Sequence, residues 1–426
     1  MTVFTPSAQV TGMPTSPTLY INEQVGLKRQ NHEQVYHFGF GESPFPVPER
    51  LKQVLANCAN LNTYPPARGL ACLCAEALSY FANHFHFNAQ DMKTLVGPGS
   101  KDIIFAAQIA IEGDIMIPTP SWVSYAPQAQ LAGSKAIAVP TQAHNHHRFD
   151  GHLVEDVILS ARAKGLNPTK LILNYPNNPT GLSFDDESLQ IIAGICRKYD
   201  VIIISDEIYA LTSRSRHNSI ASHYPEGTIV TTGLSKHLSL GGFRIGFGFV
   251  PDALEGLMDA MTAVASETWS GVAHPMQYVA LEAIKGHSDV EEHVRNCSTV
   301  HALSSEYLRG RLNDLGLNYP ALAGAFYLYP NFGIFRDVLE TSYDIKTSDD
   351  LARDLLERAN IATLPGSCFG DAPEVLALRM ATTDYDGAHA LNFITKNPHA
   401  TPTELVEACC PNLRDGMNQL VSYLKG

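Results

Sequence analysis

The 426-residue chain is short of positive charge: 30 lysines and arginines face 43 aspartates and glutamates, a net charge of −13. That balance excludes nucleic acid or an anionic membrane surface as the main partner, because both are held by basic residues that displace counterions. Long apolar runs are missing too. No stretch reaches the about 18 consecutive apolar residues that cross a bilayer as a helix. The opening residues, MTVFTPSAQVTGMPTSPTLYINE, lack the basic-then-apolar order of a secretory signal. Cysteines in zinc-like spacing are absent as well. Cys58, Cys72, Cys74, Cys196, Cys297, Cys368, Cys409 and Cys410 are scattered, so no metal is expected and all eight are read as reduced thiols of a cytoplasmic protein. What is present is an ordinary globular balance, 45% hydrophobic and 17% charged. The length allows a large core and two or more domains, and the expected partner is a small molecule.

Residues 1–35, rich in Thr, Ser, Pro and Gln, are expected to form an extended arm. HFGFGESPFPVP at 37–48 sets prolines and glycines among aromatics, a turn-like segment suited to lining a pocket. Helical spacing follows at 49–59 and 70–84, broken by YPPARG. From about 92 to 250, short β-branched runs at 92–96, 114–117, 135–139, 170–173, 201–204, 229–232 and 245–250 alternate with helical segments. This alternation predicts an α/β fold with a mostly parallel central sheet flanked by helices, binding its ligand at the carboxyl ends of the strands. After 251 helices dominate, followed by a small α+β region with strands at 324–329 and 376–382. The expected organisation is an arm at 1–35, a large ligand-binding domain at 61–299, and a smaller α+β domain drawn from both termini, 36–60 and 300–426.

Several residues stand out chemically. Lys236 sits in VTTGLSKHLSLGGFRIGFG at 230–248, an apolar and glycine-rich setting, with Arg244 eight residues on. Burial disfavours an ammonium and would leave a neutral amine that a carbonyl compound captures as a Schiff base. On this stretch alone, a plain loop lysine is equally open. GPGSK at 97–101 follows a strand and opens a helix, so backbone amides and the Ser100 hydroxyl could hold a phosphate, or the glycines could simply reverse the chain. NYPNNPTG at 174–181 fixes an irregular loop that presents the Asn178 amide. Asp206 follows four aliphatics and needs a cation or strong donor such as a protonated ring nitrogen, unless it caps the next helix; Tyr209 lies three residues on. Trp122, one of two tryptophans, could stack on a planar ligand or fill core. Arg379 interrupts the apolar run LALRMA, where a guanidinium wants a carboxylate, a phosphate or a remote ion pair.

Taken in order between about 37 and 385, the strings GESPFPVP, Tyr64 with Gly69, GPGSK, PSWVSY, NYPNNPTG, SDEIY, GLSKHLSLGGFRIG, GAFYLYP and LALRMA resemble the fold type I pyridoxal-phosphate enzymes, specifically the class I/II aminotransferases of the aspartate aminotransferase kind. The resemblance implies a large PLP-binding domain and a smaller α+β domain. It implies that Lys236 bonds covalently to pyridoxal 5′-phosphate and carries the substrate Cα proton. Asp206 would keep the pyridine nitrogen protonated, Asn178 and Tyr209 would bond the phenolic oxygen, and Trp122 would stack on the ring. Ser100, the Lys101 backbone amide, Ser235 and Arg244 would bind the phosphate. Arg379, with Asn178 and Trp122 beside it, would hold the substrate α-carboxylate, Gly41 would offer a backbone contact, and Tyr64 would reach the phosphate of the neighbouring subunit in a homodimer. The implied reaction moves an amino group from an L-amino acid, aspartate the best guess, to a 2-oxo acid such as 2-oxoglutarate by a ping-pong mechanism. Elimination, as in a carbon–sulfur lyase or an aminocyclopropane-carboxylate synthase, is the alternative. Three positions depart from the family pattern. Gly233 replaces a residue that often touches the phosphate, so Thr232 or Ser235 would have to compensate. Cys74 stands in place of an arginine, and His237, expected to be exposed, follows the lysine. The candidates to meet a substrate side chain (the 37–45 loop, Tyr125 and ETWSGV at 267–272) include no second arginine for a distal carboxylate.

Overall fold

The computed structural model describes residues 4–13, 15–141 and 146–425. In chain order its strands are β1 (Tyr36–His37), β2 (Met92–Gly97), β3 (Asp114–Thr119), β4 (Ala136–Pro140), β5 (Pro168–Asn174), β6 (Ile202–Asp206), β7 (Thr228–Gly233), β8 (Gly246–Pro251), β9 (Tyr327–Leu328), β10 (Ile361–Ala362), β11 (Leu364–Pro365) and β12 (Leu378–Ala381). Seven of them form the central sheet in the order β2-β8-β7-β6-β5-β3-β4. Its pairs are parallel except those of β8, which runs antiparallel to both β2 and β7.

Strands β5 to β8 are buried on both faces, which is why they read as continuous apolar runs rather than as alternating ones. Successive side chains feed opposite layers. Ile115, Ile117, Ile172 and Ile204 join Ile103, Ile104 and Met261 from helices Ser100–Ala110 and Leu257–Thr268. Met116, Leu171, Leu173 and Ile203 join Val154, Ile158, Leu189 and Ile192 from helices Leu153–Ala163 and Asp186–Lys198 on the other side.

A separate core draws on both ends of the chain. Ile21, Val25, Val35, Phe38 and Phe45 pack with residues from Cys297 to Leu424, β1 pairs with β10, and β11, β12 and β9 make a small antiparallel sheet. The extended arm expected at 1–35 is corrected here, because Pro17–Gln30 is a helix. Proline at its start has no amide to leave unpaired. Ile21 and Val25, one turn apart, bury onto this core, and Arg29 pairs with Asp384. Composition suggested an extended arm, but two apolar residues at helical spacing were enough to dock a helix. Among the described residues, no helix is long and apolar enough to cross a membrane.

Candidate active site

The strand directions bring the singled-out residues to one edge of the sheet. β2 ends at Gly97 ahead of Ser100 and Lys101, β3 at Thr119 ahead of Trp122, β5 at Asn174 ahead of Asn178, β6 at Asp206 itself, and β7 at Gly233 ahead of Lys236. β8 runs the other way, so Arg244, just before its start at Gly246, lies at the same edge. Arg379 arrives on β12 and Gly41 on the loop after β1. These residues, with Tyr209 and Ser235, line one cleft of about 360 Å³. Tyr64 does not line it and is 94% exposed.

Asp206 is buried between β5 and β7. Its Oδ2 accepts from the Tyr125 hydroxyl at 2.6 Å, whereas Oδ1 is buried without a hydrogen-bond partner among the described residues. Burial pushes the carboxyl from 3.8 up to about 6, with Tyr125 and the Ile208 amide opposing the rise. An orphaned, dry carboxylate oxygen facing a cleft fits a protonated ring nitrogen, because a charged donor would offset its desolvation. Tyr209, three residues on, meets the Tyr327 hydroxyl at 2.9 Å. Burial, with Tyr327 adding, holds the Tyr209 hydroxyl well above its usual range, so it remains a donor.

The 97–101 segment is shaped to receive an anion. Gly99 takes φ +95 and the helix opens at Ser100, leaving free amides at a positive dipole end. Arg244 brackets the turn, donating to the carbonyls of Pro98 at 2.7 Å and Gly241 at 3.1 Å. Gly246 is needed beneath it: a Cβ there would lie 2.3 Å from the Ser100 nitrogen. Gly233 likewise has no room, since a Cβ would sit 2.7 Å from the Ile245 carbonyl. Thr232 is buried and donates to the Glu207 carbonyl at 3.3 Å. Of the two hydroxyls considered for the missing contact, Ser235 is the one that lines the cleft.

Arg379, which lines the same cleft from β12, is 1% exposed. It donates to Gly39 O at 2.6 Å and to Asn178 Oδ1 at 3.3 Å and lies over the Tyr327 ring at 4.7 Å, while Nε has no partner among the described residues. Such a guanidinium retains capacity for a carboxylate. Lys236 Nζ donates to Gly41 O at 2.9 Å and stands 5.6 Å from the Tyr209 ring centre.

Some participants were not legible in the sequence. Tyr125, considered for a substrate side chain, lines the cleft and also donates to Asp206. Tyr327 touches Tyr209, Arg379 and Gly41 at once, and Gly41 must be glycine because a Cβ would fall 1.9 Å from the Tyr327 hydroxyl. Asn174 Oδ1 accepts from the Asn178 amide at 2.8 Å and its Nδ2 donates to Asp206 O at 2.9 Å, tying two loops together. The Lys101 side chain also lines the cleft, its ammonium 5.4 Å from the Trp122 ring centre. The expected exposure of His237 is corrected, since it is 2% exposed. Burial, with His84 and His293 nearby, lowers it to about 3 and keeps it neutral. The turn after the lysine points this side chain into the core, a direction that sequence spacing does not encode.

A family model described as "Aminotransferase class I and II" matches residues 33–394. The chain is 31% identical over 386 residues to an aspartate aminotransferase of Bacillus subtilis (strain 168), covering 88% of this chain and 94% of that protein. It is 29% identical to an asparagine–oxo-acid transaminase of Streptococcus mutans over 91% of this chain and 98% of that one. Its fold is similar to that of the Thermus thermophilus aspartate aminotransferase with maleate, with a TM-score of 0.82 at 23% identity, covering 98% and 99% of the two chains.

Proposed function

The chain belongs to the class I and II aminotransferases, and from that premise we propose that its donor is L-aspartate or a close four-carbon relative and its acceptor a 2-oxo acid such as 2-oxoglutarate. As a pyridoxal-phosphate-dependent aminotransferase it moves an amino group between an amino acid and a 2-oxo acid. The observation that carries the site assignment is the convergence of the Lys236 amine, the orphaned Asp206 Oδ1 and the Arg379 guanidinium in one cleft. Bound there, the cofactor supplies an electron sink for the substrate Cα.

The chain's own residues do the rest. Asp206 would hold a proton on the ring nitrogen, Asn178 and Tyr209 would bond the phenolic oxygen, and Trp122 would stack on the ring. The amides at 100–101, Ser235 and Arg244 would hold the phosphate. Arg379 holds the α-carboxylate while Gly41 lines the substrate side. Lys236 Nζ is the amine that would hold the cofactor covalently and would carry the Cα proton. Elimination is not favoured, because the relatives are named as aminotransferases.

The aspartate preference rests on Lys101. No arginine beyond Arg244 and Arg379 lines the cleft, and among the described residues the Lys101 ammonium has no hydrogen-bond or ion-pair partner. A cation so placed suits a distal carboxylate. Lys101→Met keeps the backbone amide at the phosphate end and removes that charge. Its kcat/KM for aspartate is expected to fall about tenfold to a hundredfold, with a neutral donor such as alanine little changed. Equal losses for both donors in steady-state assays would sink the acidic-substrate reading.

The exposed Tyr64 supports a homodimer in which each subunit completes the other's phosphate site. Refolding Tyr64→Ala and Lys236→Ala chains together should then give mixed dimers with one intact site each, and about a quarter of wild-type activity. If Tyr64 served its own subunit, mixing would raise activity no higher than that of the Tyr64→Ala protein alone.

A further inference from the structure

Among the described residues, two side-chain hydrogen bonds join the substrate-facing segment 39–45 to the lysine loop 234–241. One is Lys236 Nζ to Gly41 O at 2.9 Å, and the other is Ser43 Oγ to Ser239 Oγ at 2.6 Å. The first cannot persist unchanged once the lysine nitrogen is engaged in a covalent bond. The second can, and it is backed by a buried side chain from a third element. His301, on helix Ser288–Asp314, lies with Nε2 3.0 Å from Ser43 Oγ and Nδ1 3.3 Å from the Tyr385 hydroxyl.

His301 is 1% exposed and Ser43 5% exposed. The imidazole sits between the rings of Phe45 and Phe326, with centroids at 4.9 and 4.6 Å, and Phe326 in turn lies 5.7 Å from Lys236 Nζ. The Ser43 hydroxyl thus has its two side-chain partners, Ser239 and His301, on two different elements. Neither Ser43, His301, Tyr385 nor Ser239 lines the cleft.

We propose that Ser43 and His301 are positioning residues: the chain Tyr385–His301–Ser43–Ser239 keeps the Gly41 segment docked on the lysine loop while the Lys236 nitrogen is occupied, so the amine and the substrate stay in register. Burial, with Arg214 and Lys236 nearby, lowers His301 to about 3 and keeps it neutral. A neutral imidazole has one donor and one acceptor. With the proton on Nε2, Tyr385 donates to Nδ1, Nε2 donates to Ser43, and Ser43 donates to Ser239, which gives every buried member a partner. Ser239 takes a left-handed φ of +56 three residues after the lysine, so the tie fixes a turn that would otherwise be strained and free to relax.

The inference rests on Lys236 as the reacting amine. Lys236→Ala, run in the same assay, tests that reading separately by its own failure to shift the cofactor's absorbance away from that of the free aldehyde. Ser43→Ala, Ser239→Ala and His301→Leu break the chain at different points, and Ser239 is the least buried of the three. Each is expected to slow the growth of visible absorbance when the cofactor-free protein takes up pyridoxal phosphate. Each is also expected to lower kcat about tenfold with KM for the donor changed far less. His301→Gln, whose side-chain amide can still donate to Ser43, should recover most of both. The double variant Ser239→Ala/His301→Leu should be no worse than either single one, because links of one chain are not lost twice. Unaltered uptake and kcat in Ser43→Ala and Ser239→Ala, multiplied losses in the double variant, or a His301→Gln protein as slow as His301→Leu would each overturn the proposal.

Discussion

Lys236→Ala is expected to lower turnover by on the order of 10⁶, since removing a covalent nucleophile that also shuttles protons takes away two functions at once. The loss should be in kcat rather than in binding. Ser100, Ser235, Arg244, Asp206 and Trp122 line the cleft independently of the lysine, so the protein should still bind pyridoxal phosphate, now reversibly. The fold should hold too. Lys236 is only partly buried and, among the described residues, makes one hydrogen bond, to Gly41 O, which also accepts from the Tyr327 hydroxyl, so truncation leaves that acceptor with a partner. The checks are the visible absorbance of the loaded protein, expected to revert to that of the free aldehyde, and single-turnover rates with aspartate. A variant that retained both the wild-type band and the wild-type rate would remove Lys236 from the chemistry.

Asp206→Asn is expected to act in opposite directions on activity and stability. Asparagine keeps the acceptor for Tyr125 but cannot hold a proton on a ring nitrogen, so turnover should fall about a thousandfold. Without cofactor the sign reverses. The folded carboxyl lies at about 6 against an ordinary 3.8. Because the folded value is raised, the contribution of this group to stability is fully present below about pH 4 and is lost as pH rises through 6. Above that, the cofactor-free chain carries a buried, half-unpartnered carboxylate that costs about 3 kcal/mol. The amide never ionises, so cofactor-free Asp206→Asn should be more stable than wild type by about that amount at pH 8 and by little near pH 4. Urea unfolding at the two pH values measures this. Equal stability at pH 8 would show that the orphaned oxygen is solvated or paired, and with it the fit to a cationic ring nitrogen would fail.

These two positions also show where sequence reasoning had purchase. Asp206 was legible because four aliphatics in a row before a carboxylate place the charge at the end of a buried strand, and such a charge demands a partner. Lys236 gained meaning only beside Asn178, Trp122 and Arg379, residues far away in sequence whose chemistries complement an amine. The strand–helix alternation from 92 to 250 was readable for a related reason. A parallel sheet covered on both faces must be apolar throughout, and that pattern survives in the linear string.

What the sequence determined by itself was the strand–helix alternation of the sheet domain, the mostly parallel sheet and the residue types assembled at its carboxyl edge, because period and burial are local properties of the chain. Only the tertiary structure decided directions and partners. It turned the N-terminal segment into a docked helix and buried His237. It gave Asp206 to Tyr125, and set the Lys101 ammonium over the Trp122 ring at the cleft. It also linked Ser239 to His301 through Ser43. Each of these depends on where a side chain points once distant segments pack, and spacing along the chain carries no record of that.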